Sequence, residues 1–409
     1  MNLTINKVVI SRDIIVFSLI SYLIICRVNT MKLSMNKSLL LAMSACFFSS
    51  ASFAGINSDY HVVADDLTAD HNESNGVPMP FYGNGRMQSK LSVSVSFADS
   101  YGRPVTVPKS DLEGAISFYL KNSEQELGKN KDCTYGRDCW GYTLNPNDYS
   151  HQMGNSYGYS KGLPTSRVAA SDTKLTAWVY SNEVAQHREV CMKVKFNTGS
   201  QYDNNYYDSC AYPNESSAFY QSVQPKSYSA ADFSEIGEGE QVWEETNTDD
   251  FYFDKAEMYN FYVTPKDTSV KLVEVAMDNF DESDSDKVFL NDEWLGCYSD
   301  CTNGFRSVKG YVFVPGSERN VSDEYVWNSA AGEGRTAVWR VNQQLRSVTL
   351  SQLLYSNSGT SNNDSQKEYR FTVFDQYGNK GPLKLIYPQS EFTGGGQKWD
   401  YTHWNLVSQ

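Results

Sequence analysis

Short runs in which apolar and polar residues take turns recur along this chain, and they constrain the fold more than any other feature. In "KLSVSVSF", Leu91, Val93, Val95 and Phe97 alternate with Lys90, Ser92, Ser94 and Ser96. A period of two turns one side of a strand toward a core and the other toward solvent. Further strands are expected at "AISFYL" (115–120), "LTAWVYS" (175–181) and "EVCMKVKF" (189–196). Eight more follow between "MYNFYVTP" (258–265) and "PLKLIYP" (382–388). The 28 Tyr, 20 Phe and 8 Trp suit pleated, half-buried surfaces. Turn residues separate the runs, which favours sandwiches over βαβ units. The expected fold is mainly β, with two β-sandwich-like domains of the immunoglobulin or jelly-roll kind.

A chain of 409 residues exceeds what one core usually organises. Residues 1–54 read as an upstream segment and a signal peptide. "IIVFSLISYLIIC" (14–26) is short for a membrane span, which needs about 20 residues. "MKLSMNKSLLLAMSACFFSSASFA" has the basic start, apolar middle and small-residue end of a cleaved export signal of bacterial type. Cleavage after Ala54 leaves Gly55 first, and Met31 or Met35 is the natural start. "MSAC" offers Cys46 as an alternative lipoprotein anchor. Residues 55–86 read as an extended polar entry segment, 87–223 as an N-terminal β domain, 224–250 as an acidic linker and 251–409 as a C-terminal β-sandwich. Residues 121–170 form a long Gly-, Asn-, Ser- and Tyr-rich insertion. "FADSYGRPV" and "VFDQYGNKGP" echo each other as shared hairpin chemistry rather than as a tandem repeat.

The formal charge is −14, and removing the five basic and one acidic residues of 1–54 takes it to −18. So acidic a surface repels phosphate backbones, which excludes nucleic acid as the expected partner. Six of eight cysteines follow the leader, at Cys133, Cys139, Cys191, Cys210, Cys297 and Cys301. They fall into local pairs without zinc-knuckle spacing, and disulfides in an oxidising compartment are expected: Cys133/Cys139, Cys191/Cys210 and Cys297/Cys301.

"DNFDESDSDKVFLNDEW" (278–294) holds seven carboxylates. A solvated loop is the leading reading. Calcium is the alternative cofactor, with Asp278, Asp281, Asp284 and Asp286 as oxygen ligands on a flexible loop that lacks the EF-hand glycine. A carboxylate pair for glycoside hydrolysis needs rigid spacing that this loop does not supply. "GNSYGYSKG" gives two Gly-x-Ser-x-Gly matches, at Ser156 and Ser160, but lacks the strand before and the helix after that a nucleophile elbow requires. His61, His71, His151, His187 and His403 show no metal spacing.

Aromatic clusters carry the functional expectation. "QYDNNYYDSCAYP" contributes Tyr202, Tyr206, Tyr207 and Tyr212, and "QKWDYTHW" contributes Trp399, Tyr401 and Trp404. Rings beside Asn and Asp suit sugars and protein surfaces alike. The expected role is non-catalytic recognition of a surface glycan or protein in adhesion. A secreted toxin or virulence factor acting on host membranes is the alternative, with a polysaccharide hydrolase behind it. Membrane contact belongs only to the toxin reading.

Overall fold

A computed structural model describes residues 16–19, 22–25, 55–69, 78–136, 138–153, 172–197, 205–211, 216–247, 254–277, 287–294, 307–328, 333–355, 368–386, 389–390, 398–399 and 404–409. The chain divides into two compact units, Met1–Phe53 and Ala54–Gln409. In the first, Val16–Leu19 (β1) and Tyr22–Ile25 (β2) pair antiparallel. No helix among the described residues is long and apolar enough to cross a membrane. The protein is mainly β, with one short helix, Lys109–Ala115 (α1), among the described residues.

The N-terminal sandwich is built from Ile56–Asn57 (β3), Tyr60–Ala69 (β4), Met79–Tyr82 (β5), Ser89–Asp99 (β6), Pro104–Val105 (β7), Ile116–Leu120 (β8), Gln125–Glu126 (β9), Gly128–Lys129 (β10), Trp140–Thr143 (β11), Thr173–Ser181 (β12), Gln186–Asn197 (β13), Tyr206–Asp208 (β14) and Ala218–Val223 (β15). One sheet has the order β10-β11-β12-β6-β4, and the other β5-β15-β13-β8-β9. The alternation in β6 is obeyed: Leu91, Val93, Val95 and Phe97 are buried, while the intervening polar residues are half-buried. β12 follows the same parity, with Leu175, Ala177 and Val179 turned inward. Each large apolar side chain withdrawn from water contributes about 1.5–3 kcal/mol.

The described residues of 55–86 are built into the sheets rather than forming an extended entry segment. They supply β3, β4 and β5, and β4 pairs along β6 from Tyr60↔Asp99 to Ala69↔Leu91. β4 lies at the edge of its sheet, a bulge between Val62 and Ala64 breaks its period, and only Leu67 and Ala69 are buried. An edge strand with so little burial has almost no apolar pattern to read.

The C-terminal half comprises Glu240–Asn247 (β16), Asp254–Val263 (β17), Leu272–Met277 (β18), Lys287–Trp294 (β19), Ser307–Phe313 (β20), Arg319–Asn328 (β21), Glu333–Val341 (β22), Val348–Tyr355 (β23), Glu368–Asp375 (β24), Lys380–Ile386 (β25), Gln389–Ser390 (β26), Lys398–Trp399 (β27) and Asn405–Ser408 (β28). A five-stranded sheet, β16-β17-β23-β20-β19, faces a four-stranded one, β18-β24-β25-β28. The five-stranded sheet is covered on its other side too. There the hairpin β21–β22 lays Tyr325, Ala337, Trp339 and Val341 against Met258, Phe313, Leu353 and Tyr355. A third layer therefore joins the expected sandwich, and every residue of the central strand β23 is buried. Polar groups on this second face are paired: Trp339 Nε1 donates to Ser351 Oγ (3.0 Å), Ser351 Oγ to Asn260 Oδ1 (2.6 Å) and Asn260 Nδ2 to the Arg340 carbonyl (2.7 Å). The described part of the expected 224–250 linker, 224–247, joins the fold, with Phe233 buried and β16 paired to β17 across a bulge between Gln241 and Trp243. That bulge and the exposed polar residues around it hide the strand in the sequence.

Two of the expected disulfides are present, Cys133–Cys139 and Cys191–Cys210, with Cα atoms 5.5 and 5.2 Å apart. Cys191 shares the outward parity of Lys193 on β13, yet it is fully buried. Cys297 and Cys301 lie outside the described residues.

The two echoed turns have one geometry. Asp99 Oδ1 accepts from the amides of Tyr101 and Arg103 (both 2.9 Å), and Asp375 Oδ1 from those of Tyr377 (2.8 Å) and Asn379 (2.9 Å). Gly102 and Gly378 follow at φ +76° and +77°, a region an L residue enters only at a cost. Their surroundings differ: Tyr101 is 82% exposed, whereas Asp375 and Asn379 are fully buried.

Candidate functional site

The outward side of the first N-terminal sheet carries the candidate site. Alternation places Thr176, Trp178 and Tyr180 of β12 on this side, beside Lys90, Ser92, Ser94 and Ser96 of β6. At one end the Cys133–Cys139 loop covers Tyr180, whose hydroxyl donates to the Lys131 carbonyl at 2.7 Å. At the other, Ser94 Oγ donates to Asp172 Oδ2 (3.3 Å) and Ser96 Oγ donates to Asp172 Oδ1. Asp66 lies opposite Ser94, and burial raises its carboxyl, with the charge of Asp65 adding to the effect.

Between these ends lies an open groove of about 790 Å³. Its floor is Lys90, Thr176 and Trp178, and its wall is the loop after β11, with Leu144, Pro146, Ser150, His151 and Gln152. The His151 imidazole rests 4.1 Å from the Trp178 ring centre, tilted by 38°, and makes an aromatic pair with it. None of these lining residues is acidic, although the chain as a whole is strongly so. Hydroxyl, amide and ammonium groups therefore surround an aromatic and aliphatic surface.

The wall is tied down from two directions. The Asn147 amide donates to Gln88 Oε1 (2.8 Å) and its Nδ2 to the Arg86 carbonyl (2.6 Å). The next anchors belong to the C-terminal sandwich. Tyr149 Oη donates to Glu274 Oε2, and the Ser150 amide donates to the Gln376 carbonyl at 2.6 Å. Arg86 Nη1 meets Tyr149 Oη at 2.8 Å and Glu274 Oε2 at 3.1 Å, while its guanidinium lies 4.0 Å above Phe374. The same junction takes in the buried turn: Tyr377 packs on Tyr82 with ring centres 5.6 Å apart, and Asn84 Nδ2 donates to the Tyr377 carbonyl at 2.9 Å.

The aromatic residues singled out from the sequence do not form one surface. Tyr206, 48% exposed, lies on the other N-terminal sheet, where Lys193 Nζ sits 4.9 Å from the Tyr119 ring and 5.3 Å from that of Tyr206. Asp208 pairs with that lysine at 2.9 Å and holds its ammonium above the usual range. Tyr207 packs half-buried against the N-terminal core. Trp404 is a core residue, 3% exposed. Its indole lies edge-on to Phe261 and Tyr369, and Nε1 donates to Gln352 Oε1 at 3.1 Å. A polar neighbourhood in sequence gave no sign that this ring closes the C-terminal sandwich. Tyr202, Tyr212, Tyr401 and the Trp399 side chain lie outside the described residues. So do Asp278, Asp281, Asp284 and Asp286, and also Ser156, Ser160, His71 and His403. Among the described residues no three His, Cys, Asp or Glu side chains gather as a metal-binding group.

Trp178, the central residue of the groove, reads in the sequence as part of an ordinary strand. Its signal was present: in "LTAWVYS" it shares parity with Thr176 and opposes Leu175, Ala177 and Val179. A tryptophan on the polar side of an amphipathic strand is the pattern that marks it.

No family model matches the chain, and no curated protein matches it. Among solved structures, the chain is similar to the collagen binding domain of Erysipelothrix rhusiopathiae surface protein RspB, at 9% identity and a TM-score of 0.13, over 86% of this chain and 93% of that one. A likeness at that level carries no argument.

Proposed function

We propose that this is an exported recognition protein whose N-terminal groove binds a neutral oligosaccharide chain, without chemistry on it. The observation that carries the reading is the Trp178–His151 pair set in an open groove among Thr176, Ser150, Gln152 and Lys90. Sugar C–H faces stack on such rings while amides and hydroxyls bond the ring's hydroxyl groups. The lack of carboxylates among the described lining residues, within a chain of formal charge −14, suits an uncharged ligand better than a polyanion, which the molecule's overall field repels. Two disulfides support maturation outside a reducing compartment, in line with the export signal read in 31–54.

The test is a panel of neutral oligosaccharides, followed by calorimetric titration of those retained. Trp178→Ala should weaken binding at least about ten-fold, because the central aromatic of a site contributes most of its energy. Retention of a matrix protein but of no neutral glycan overturns the reading. Equal affinity in the wild type and Trp178→Ala overturns it as well.

A further inference from the structure

We infer that the C-terminal sandwich holds the groove's wall in place through Glu274 and the turn at 375–378, with Tyr149 as the positioning residue on the wall itself. The groove would then belong to both sandwiches together, although every described residue that lines it comes from the first. This inference deepens the groove reading and rests on it for its functional meaning.

The wall is a loop with no ladder of its own, because β11 ends at Thr143. A segment of that kind stays where its individual hydrogen bonds put it. Leu144 and Pro146 precede the Asn147 anchors, which stay within the N-terminal sandwich. The residues that reach the aromatic floor come after them. Ser150, His151 and Gln152 follow directly on Tyr149, and both Tyr149 and the Ser150 amide bond across the junction. His151 is thus one residue from a cross-junction hydrogen bond and 4.1 Å from Trp178.

The junction group is suited to that task. Glu274 takes a phenol and a guanidinium on one carboxylate oxygen, and charge-assisted bonds of this type are stronger than neutral ones. Arg86 is fixed in turn by the Phe374 ring beneath it. Burial, with the adjacent Glu274 carboxylate, pushes the Tyr149 phenol upward, which keeps it a donor at ordinary pH. The Gln376 carbonyl lies next to the Asp375 side chain that organises its turn, so the acceptor for Ser150 is itself held.

Two readouts separate this inference from the oligosaccharide proposal. The first is amide hydrogen exchange of the full chain in wild type, Glu274→Gln and Tyr149→Phe. Exchange at 147–152, and at Ser150 above all, should be about ten-fold or more faster in both variants, with the β6 and β12 amides unchanged. The second is titration with whichever neutral oligosaccharide the wild type binds, where both variants should weaken affinity several-fold. Unchanged exchange at Ser150 in both variants overturns the inference whatever the ligand. Faster exchange with unaltered affinity overturns it too, since the wall would not matter to binding. A wild type that binds no oligosaccharide retires the proposed ligand, and exchange alone then decides whether the junction holds the wall.

Discussion

Substituting alanine for glycine at two turns of the same shape isolates what the junction between the sandwiches adds. Gly102 and Gly378 sit at φ +76° and +77° after the same Asp-anchored turn. An L residue in the left-handed region costs about 1–2 kcal/mol, and both variants incur that cost. A Cβ at Gly102 meets nothing within 4 Å, whereas at Gly378 it would stand 2.6 Å from Arg86 Cβ. A Cβ is not the mobile end of a side chain, so the backbone at Arg86 or at the turn has to move. Overpacking of this kind costs about 1–3 kcal/mol beyond the conformational term. Gly102→Ala should therefore destabilise by about 1–2 kcal/mol and Gly378→Ala by about 2–5 kcal/mol. Urea unfolding, followed by tryptophan emission and far-ultraviolet dichroism, measures both. Equal losses for the two variants would refute the claim that the Tyr377 turn is packed against Arg86 while the Tyr101 turn stands free.

Loop entropy ranks the two disulfides. Opening Cys191–Cys210, at sequence separation 19, should cost roughly 3 kcal/mol, and opening Cys133–Cys139, at separation 6, roughly 2 kcal/mol. Paired Cys→Ala variants compared by thermal unfolding should keep that order, and its reversal would count against the chain-entropy account. Alkaline pH should weaken the fold. Burial first, and then nearby glutamates, push the phenols of Tyr142 and Tyr262 from 10.0 up to about 12. The folded state therefore holds these protons more tightly than the unfolded chain. Their contribution is complete below pH 10 and is lost as pH rises toward about 12. Unfolding midpoints measured across that range should fall less steeply in Tyr262→Phe than in the wild type; parallel curves would remove Tyr262 from the account.

What could be read from the sequence was whatever depends on one-sided burial. β6, β12 and β13 are legible because a period of two runs through most of each, broken where the outer side is covered as well, at Tyr180 and at Cys191. β23 is legible as a strand but its full burial is not, because "VTLSQLLY" keeps polar residues that find partners on a second buried face. Strand β21, "RNVSDEYVWN", is not legible: it buries Tyr325, while Lys309 Nζ on β20 donates to the Asp323 carboxylate and to the Glu324 backbone carbonyl. The two local disulfides were legible from spacing alone. The groove was not, since its residues come from β6, the loop after β11 and β12, brought together only by strand pairing. Composition drew attention to Tyr206 and Trp404 instead, and ring-rich segments cannot by themselves tell a core plug from a platform.

The order of the five-stranded sheet has a consequence for how the chain can be delivered. β23 is the last of its strands in sequence, yet it lies between β17 and β20 and hydrogen-bonds to both. A polypeptide emerging amino-end first, from a ribosome or from a narrow pore, carries those two neighbours without their common partner. The five-stranded sheet cannot close until residues 348–355 have come through, although the hairpins on either side of the gap pair without them.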